Sequence, residues 1–183
     1  IIGGPNSQDG NTIDVQTRPT REPAVGVMMA HSEGAAIRNN TINSAGEENG
    51  INLFHNDNRD NWVRLVENTI IRSGAFESNP PLGRATGVFL SDNGSFLNGP
   101  NAESFAEIAF NTISGFNVGV WTNENGLADV EVLIGGDGNN ISTSVHSCKV
   151  GVRINGASRA RVRNNAYSIF NCEIGVEVLG GDG

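Results

Sequence analysis

The chain of 183 residues holds a single lysine, Lys149, and a single tyrosine. It has two cysteines, two methionines and two tryptophans. Each scarcity excludes something. A formal net charge of −8 with one lysine argues against a nucleic-acid or anionic-membrane partner, because phosphates are bound by Lys and Arg. No apolar run approaches the ~20 residues of a membrane-spanning helix, so membrane insertion is not expected. Two cysteines do not identify a redox compartment. No signal peptide is visible and the chain opens on "IIGG" rather than Met, which suggests a processed product or a piece of something longer.

What is plentiful is glycine, with 24 residues, and asparagine is about as frequent. Both tolerate the left-handed backbone at little cost, so many sharp bends are expected. The length suits one domain with a real core, taken as residues 1–183.

The asparagines fall in a pattern. Asn-x-Ile begins at Asn11, Asn40, Asn68, Asn111 and Asn139, with a weaker copy at Asn165. A second signal, Gly followed by alternating apolar residues, begins at Gly26, Gly50, Gly87, Gly119, Gly151 and Gly175. It reads "GVMM", "GINL", "GVFL", "GVWT", "GVRI" and "GVEV". A third alternation, as in "VRLVEN" and "AEIAFN", precedes most of the asparagines. Each unit of roughly 28 residues thus carries three short segments of period two and no helical period. Such a unit cannot bury a face alone, whereas stacked units bury one continuous core.

Alternation predicts which side chains point inward. One ladder holds Val27, Ile51, Val88, Val120, Val152 and Val176. A second holds Ile13, Ile42, Ile70, Ile113 and Ile141, with Tyr167 in the last coil. A third holds Ile37, Leu65, Ile108 and Val162. Asn40, Asn68, Asn111 and Asn165 sit at bends, where the amides of successive coils can bond one another.

These "NTI" and "G-apolar-x-apolar" copies resemble the right-handed parallel β-helix proteins of the pectate-lyase-like superfamily. The resemblance covers essentially the whole chain and implies an all-β solenoid of about six coils of three short strands. Its members include lyases, hydrolases, epimerases, tailspikes and adhesins, so the fold leaves function open. Pectin-hydrolysing relatives carry Asn-Thr-Asp, Asp-Asp, Gly-His-Gly and Arg-Ile-Lys, and none of the four occurs here. Hydrolysis also needs two carboxylates across one bond, and no coil offers such a pair. "RPTREP", Arg18 to Pro23, lacks the spacing and acidic neighbours of a lyase site. His31, His55 and His146 stand apart in sequence. No catalytic residue is therefore assigned.

Loops leave the solenoid on one side. The longest coil, Asn68 to Asn111, carries "SGAFESNPPLGRA" and "SDNGSFLNGPNAESF". Stacking gathers Asp57, Asp60, Asp92, Glu103 and Glu124 along one edge. Their oxygens would suit Ca²⁺, but no EF-hand or nonapeptide spacing is present, and solvated acidic loops are the simpler account. No other cofactor is implied.

The slot after each inward valine of the glycine segment points outward. It holds Met28, Asn52, Phe89, Trp121, Arg153 and Glu177. Phe89, Trp121 and Arg153 would form a strip of one residue per coil, either a platform for sugar or a cluster buried under the long loops. Arg64, Glu107, Glu131 and Arg161 form another outward row, a source of modest cross-strand pairing. Cys148 and Cys172 each lie three residues before a glycine and should stack, within reach of a disulfide or as two thiols.

The expectation is a non-catalytic module of a secreted or cell-surface protein, binding a polysaccharide or cell-surface glycan or acting as a rigid spacer. The rival classes are a polysaccharide lyase or hydrolase and a self-assembling filament subunit. Neither end carries a visible cap, so both should expose core and meet more protein, either further coils or another copy.

Overall fold

The computed structural model describes residues 1–16, 24–30, 32, 34–46, 48–54, 62–75, 84–91, 104–123, 130–134, 143–156, 159–162 and 168–180. The first coil contains β1 (Thr12–Val15), β2 (Val25–Ala30) and β3 (Ala36–Arg38). The second contains β4 (Thr41–Ser44), β5 (Asn49–Phe54) and β6 (Val63–Val66). The third contains β7 (Thr69–Arg72), β8 (Thr86–Ser91) and β9 (Ser104–Ala109). The fourth contains β10 (Thr112–Ser114), β11 (Val118–Asn123) and β12 (Val130–Ile134). The fifth contains β13 (Ser144–His146), β14 (Val150–Gly156) and β15 (Arg159–Val162). The sixth contributes β16 (Ile169–Phe170) and β17 (Ile174–Gly180).

Every strand pairs in parallel with the strand three places on, giving sheets in the orders β1-β4-β7-β10-β13-β16, β2-β5-β8-β11-β14-β17 and β3-β6-β9-β12-β15. This is a parallel β-helix of six coils.

The valine ladder has the expected register: Val27 opposes Ile51, then Val88, Val120, Val152 and Val176. All but the last are buried in one core cluster. The third ladder is also as expected and gains Ile134 between Ile108 and Val162.

The second ladder differs at its far end. Ile113 opposes Val145, and Val145 opposes Ile169. Ile141 and Tyr167, expected in those slots, lie outside the described residues, as do Asn139 and Asn165. The charged row is corrected too. Arg64 opposes and bridges Glu107 at 3.3 Å, but Glu107 opposes Leu133, and Leu133 opposes Arg161. Glu131 stands two residues away, opposite Phe105 and Arg159. The core ladders fix the register, and a surface charge cannot override a buried isoleucine because exposed pairs contribute only ~0.2–1 kcal/mol.

Two corners per coil explain the sequence markers. Asn39, Glu67 and Phe110 take positive φ near 57–58° immediately before Asn40, Asn68 and Asn111. Gly115, Ser147 and Asn171 do the same before Phe116, Cys148 and Cys172. The following glycine is needed for a different reason, close stacking. A Cβ on Gly119 would lie 2.6 Å from the Gly151 carbonyl oxygen and 2.4 Å from Val145 Cγ1.

The two ends are unlike. In the last coil Val176 is 46% exposed and Val178 67%. In the first coil Val15, Val27 and Met29 are buried, and Ile2 bridges Ile37 so that the third ladder gains one more rung. The expectation that both ends expose core is therefore correct for the C-terminal coil and wrong for the N-terminal one.

Candidate functional site

The outward strip forms as a row on the second sheet, with Asn52, Phe89, Trp121, Arg153 and Glu177 in direct succession. Phe54 meets Phe89 edge to face at 6.2 Å, and Phe89 meets Trp121 edge to face at 5.7 Å. Arg153 lies over the Trp121 ring at 4.8 Å from its centroid. Its Nε also bonds Glu177 Oε2 at 2.5 Å. The guanidinium thus has an aromatic face on one side and a carboxylate on the next coil, which is a satisfied cation.

Trp121 is only 3% exposed. It packs with Val118, Val150 and Phe89 in an apolar cluster separate from the main core. An open platform presenting the indole to a ligand is therefore not what forms, and the strip is a packed aromatic–cation stack. The indole Nε1 is buried and finds no acceptor among the described residues. Trp121→Phe should change stability by less than about 1 kcal/mol, because lost contacts are offset by removing an unsatisfied donor. Its fluorescence, measured in a Trp62→Phe background, should be blue-shifted and resist acrylamide. Ready quenching would show that the ring is solvent-accessible after all.

The flanking polar residues of this sheet are also turned to structure. Asn49 Nδ2 donates to Asn52 Oδ1 at 3.1 Å, and Asn49 Oδ1 accepts from the Thr86 amide at 3.0 Å. Asn155 Nδ2 donates to Asn123 Oδ1 at 3.1 Å.

The expected calcium-binding residues Asp57, Asp60 and Asp92 lie outside the described residues, as do Glu103, Glu124, the Arg18–Pro23 segment, His31 and His55. Among the described residues no group of three or more His, Cys, Asp or Glu is placed to hold a metal. His146 is described, and it stacks on Phe170 of the next coil at 4.9 Å and 14° between planes.

The bend asparagines form a ladder. Asn11 Nδ2 donates to Asn40 Oδ1 at 2.9 Å, Asn40 Nδ2 to Asn68 Oδ1 at 3.0 Å, and Asn68 Nδ2 to Asn111 Oδ1 at 2.9 Å. Asn40, Asn68 and Asn111 also reach back to main-chain carbonyls of the third sheet, Asn40 to Arg38 at 2.9 Å, Asn68 to Ile37 at 2.8 Å and Asn111 to Leu65 at 2.7 Å. Thr143 takes this place in the fifth coil and bonds the Ile108 carbonyl at 2.9 Å.

Two buried charged residues escaped the sequence reading. Arg72 donates through Nε to the Gly46 carbonyl, through Nη1 to Gly74 at 3.0 Å and Gly115 at 3.3 Å, and through Nη2 to Ala75 at 2.9 Å. It therefore ties the second, third and fourth coils at one corner. Glu48 Oε2 accepts from Ser44 Oγ at 2.9 Å and from the Gly46 amide at 2.5 Å. The signal for Arg72 was present: counting by two from Ile70 puts it inside.

Phe116, Cys148 and Cys172 occupy one corner column, and both cysteines are free thiols. Burial pushes the Cys148 thiol up to about 12, with the nearby Cys172 adding to the rise. No protein-family model, curated protein or solved structure matches the chain.

Proposed function

We propose that the chain is a rigid, non-catalytic β-helix module of a secreted or cell-surface protein, whose role is to hold its loops at fixed spacing along a stiff column. The observation that supports this reading most directly is the unbroken register of the valine ladder from Val27 to Val176. The inner hydrogen bonds point the same way. Arg72 and the asparagines, side chains that elsewhere do chemistry, are bonded to main-chain groups of neighbouring coils. A residue committed in this way stiffens the solenoid and has little freedom to meet a substrate.

The repeat resembles that of the pectate-lyase-like superfamily, which includes adhesins and tailspikes as well as lyases and hydrolases. The surroundings of such a module are then extracellular glycans, and any contact with them falls to the loops that leave the coils.

Incubation with a panel of acidic polysaccharides, with and without Ca²⁺, tests the reading. No new ultraviolet-absorbing unsaturated ends and no new reducing ends are expected. Retarded migration in gels containing one of these polymers would identify a glycan-binding module. Accumulation of unsaturated product would establish a lyase and overturn the proposal.

A further inference from the structure

We propose that Cys148 and Cys172 form a reversible thiol–disulfide clamp that fastens the sixth coil to the fifth. The two residues occupy the same place on successive coils. Two positions further on Val150 opposes Ile174, and between them the Ile174 amide donates to the Lys149 carbonyl at 3.0 Å. Their local geometry repeats. Cys148 Sγ donates to the His146 carbonyl at 3.3 Å, and Cys172 Sγ donates to the Phe170 carbonyl at 3.4 Å. Each sulfur leans over the glycine of the preceding coil. Cys148 Sγ lies 3.4 Å from where a Gly119 Cβ would sit, and Cys172 Sγ lies 3.5 Å from the corresponding point on Gly151. Cys172 therefore leans toward the coil that holds Cys148. Adjacent strands stand about 4.8 Å apart, inside the ~4.4–6.8 Å that a disulfide spans between Cα atoms. Side-chain rotation and the loss of these weak S–H···O contacts, together with a longer one from Cys172 Sγ to the Val145 carbonyl at 4.0 Å, are enough to join them.

The clamp acts on a coil that has one exposed face. The sixth coil is covered by the fifth on one side, while Val176 and Val178 remain open on the other. Opening of this coil would expose Val145 and Val152, which are fully buried when it is closed. The loop closed by the bond runs from residue 148 to 172 and contains all of β16.

A small disulfide such as oxidised glutathione supplies the two oxidising equivalents. Cys172, the less buried thiol, attacks one sulfur of the reagent as its thiolate and releases the first glutathione thiolate. Cys148 then loses its proton to solvent and attacks the Cys172 sulfur, which expels the second. Two protein thiols become one disulfide, and one small disulfide becomes two thiols. Because burial holds the Cys148 thiol at about 12, the second step should be slow at neutral pH. It should accelerate about tenfold per pH unit between pH 7 and 9, as the thiolate fraction rises.

The test treats the reduced 183-residue chain with oxidised glutathione and follows intact mass, a peptide map and amide exchange. The expected result is a mass loss of about 2 Da without added glutathione, an intramolecular Cys148–Cys172 linkage, and exchange of residues 174–178 slowed on the order of a hundredfold. Cys172→Ser, at the partly exposed position, should exchange like the reduced parent with or without oxidant. A mixed disulfide that persists on Cys172 at pH 9 would overturn the proposal, and so would linkage only between chains. An intramolecular bond that leaves exchange of residues 174–178 unchanged would also overturn it, because the clamp would then fasten nothing.

Discussion

Val120→Asp is expected to leave the chain unfolded at room temperature, with loss of strand signal in circular dichroism and no cooperative melt. Val120 is 0% exposed, lies between Val88 and Val152 in the register, and belongs to the main core cluster. A carboxylate there must either stay ionised without a partner or take up a proton and still lack hydrogen bonds. Either course costs several kcal/mol, against a total stability of ~5–15 kcal/mol for a typical domain. The strain would not stay local, since the coils on both sides rest on this side chain. Val120→Ala separates charge from lost volume and should cost about 2–3 kcal/mol while keeping the fold. Val176→Asp provides the positional control. It occupies the same ladder on the last coil, where the side chain is 46% exposed, and should cost under about 1 kcal/mol. A Val120→Asp variant that melts within a few degrees of the parent would refute the stacked core.

The ladders were legible because a buried strand position imposes its period on the sequence. Val27, Ile51, Val88, Val120, Val152 and Val176 follow a glycine that close stacking requires, so each is marked twice. The second ladder went astray at its far end because Asn-x-Ile at Asn139 imitates the marker. The competing segment lacks asparagine and fills the corner with Thr143, whose hydroxyl keeps the bond back to a main-chain carbonyl of the third sheet. A stricter spacing would have found it. Ile113, Val145 and Ile169 each stand six residues before Gly119, Gly151 and Gly175. The aromatic strip was legible in register but not in exposure. Strand alternation gives the side of the sheet a residue faces, and Trp121 does face outward. Whether an outward face is wet depends on the rest of the chain, which alternation does not encode. Arg72 was missed for the opposite reason: an inward arginine is rare enough to be assumed solvated, yet main-chain carbonyls at three successive coils satisfy it.

Asn68→Leu should be the most damaging polar substitution in the described coils. Leucine keeps the branched outline of asparagine but is bulkier, so overpacking adds to the cost. The lost hydrogen bonds are the larger part. Asn68 Oδ1 accepts from the Asn40 amide at 3.1 Å and from Asn40 Nδ2 at 3.0 Å. Its Nδ2 donates to the Ile37 carbonyl and to Asn111 Oδ1. Asn111 Oδ1 keeps the Asn68 main-chain amide at 2.9 Å, and Asn40 Nδ2 keeps the Arg38 carbonyl at 2.9 Å, so those two groups lose only part of their bonding. The Asn40 amide loses its side-chain acceptor, and the Ile37 carbonyl loses one donor, both in the buried interior. At about 1–3 kcal/mol for each buried group left unpaired, the substitution should cost roughly 3–5 kcal/mol. The Glu67 corner immediately before it carries a positive φ of 58° that is held in place by this ladder. Releasing it would let the second and third coils slip, so amide protection should fall first across β6 and β7. Asn68→Thr retains one hydroxyl donor, as Thr143 does in the fifth coil, and should recover about half of the loss. If urea unfolding places the leucine variant within 1 kcal/mol of the parent, the ladder contributes nothing beyond ordinary loop polarity, and the rigidity proposed for the column would have to rest on its apolar rungs alone.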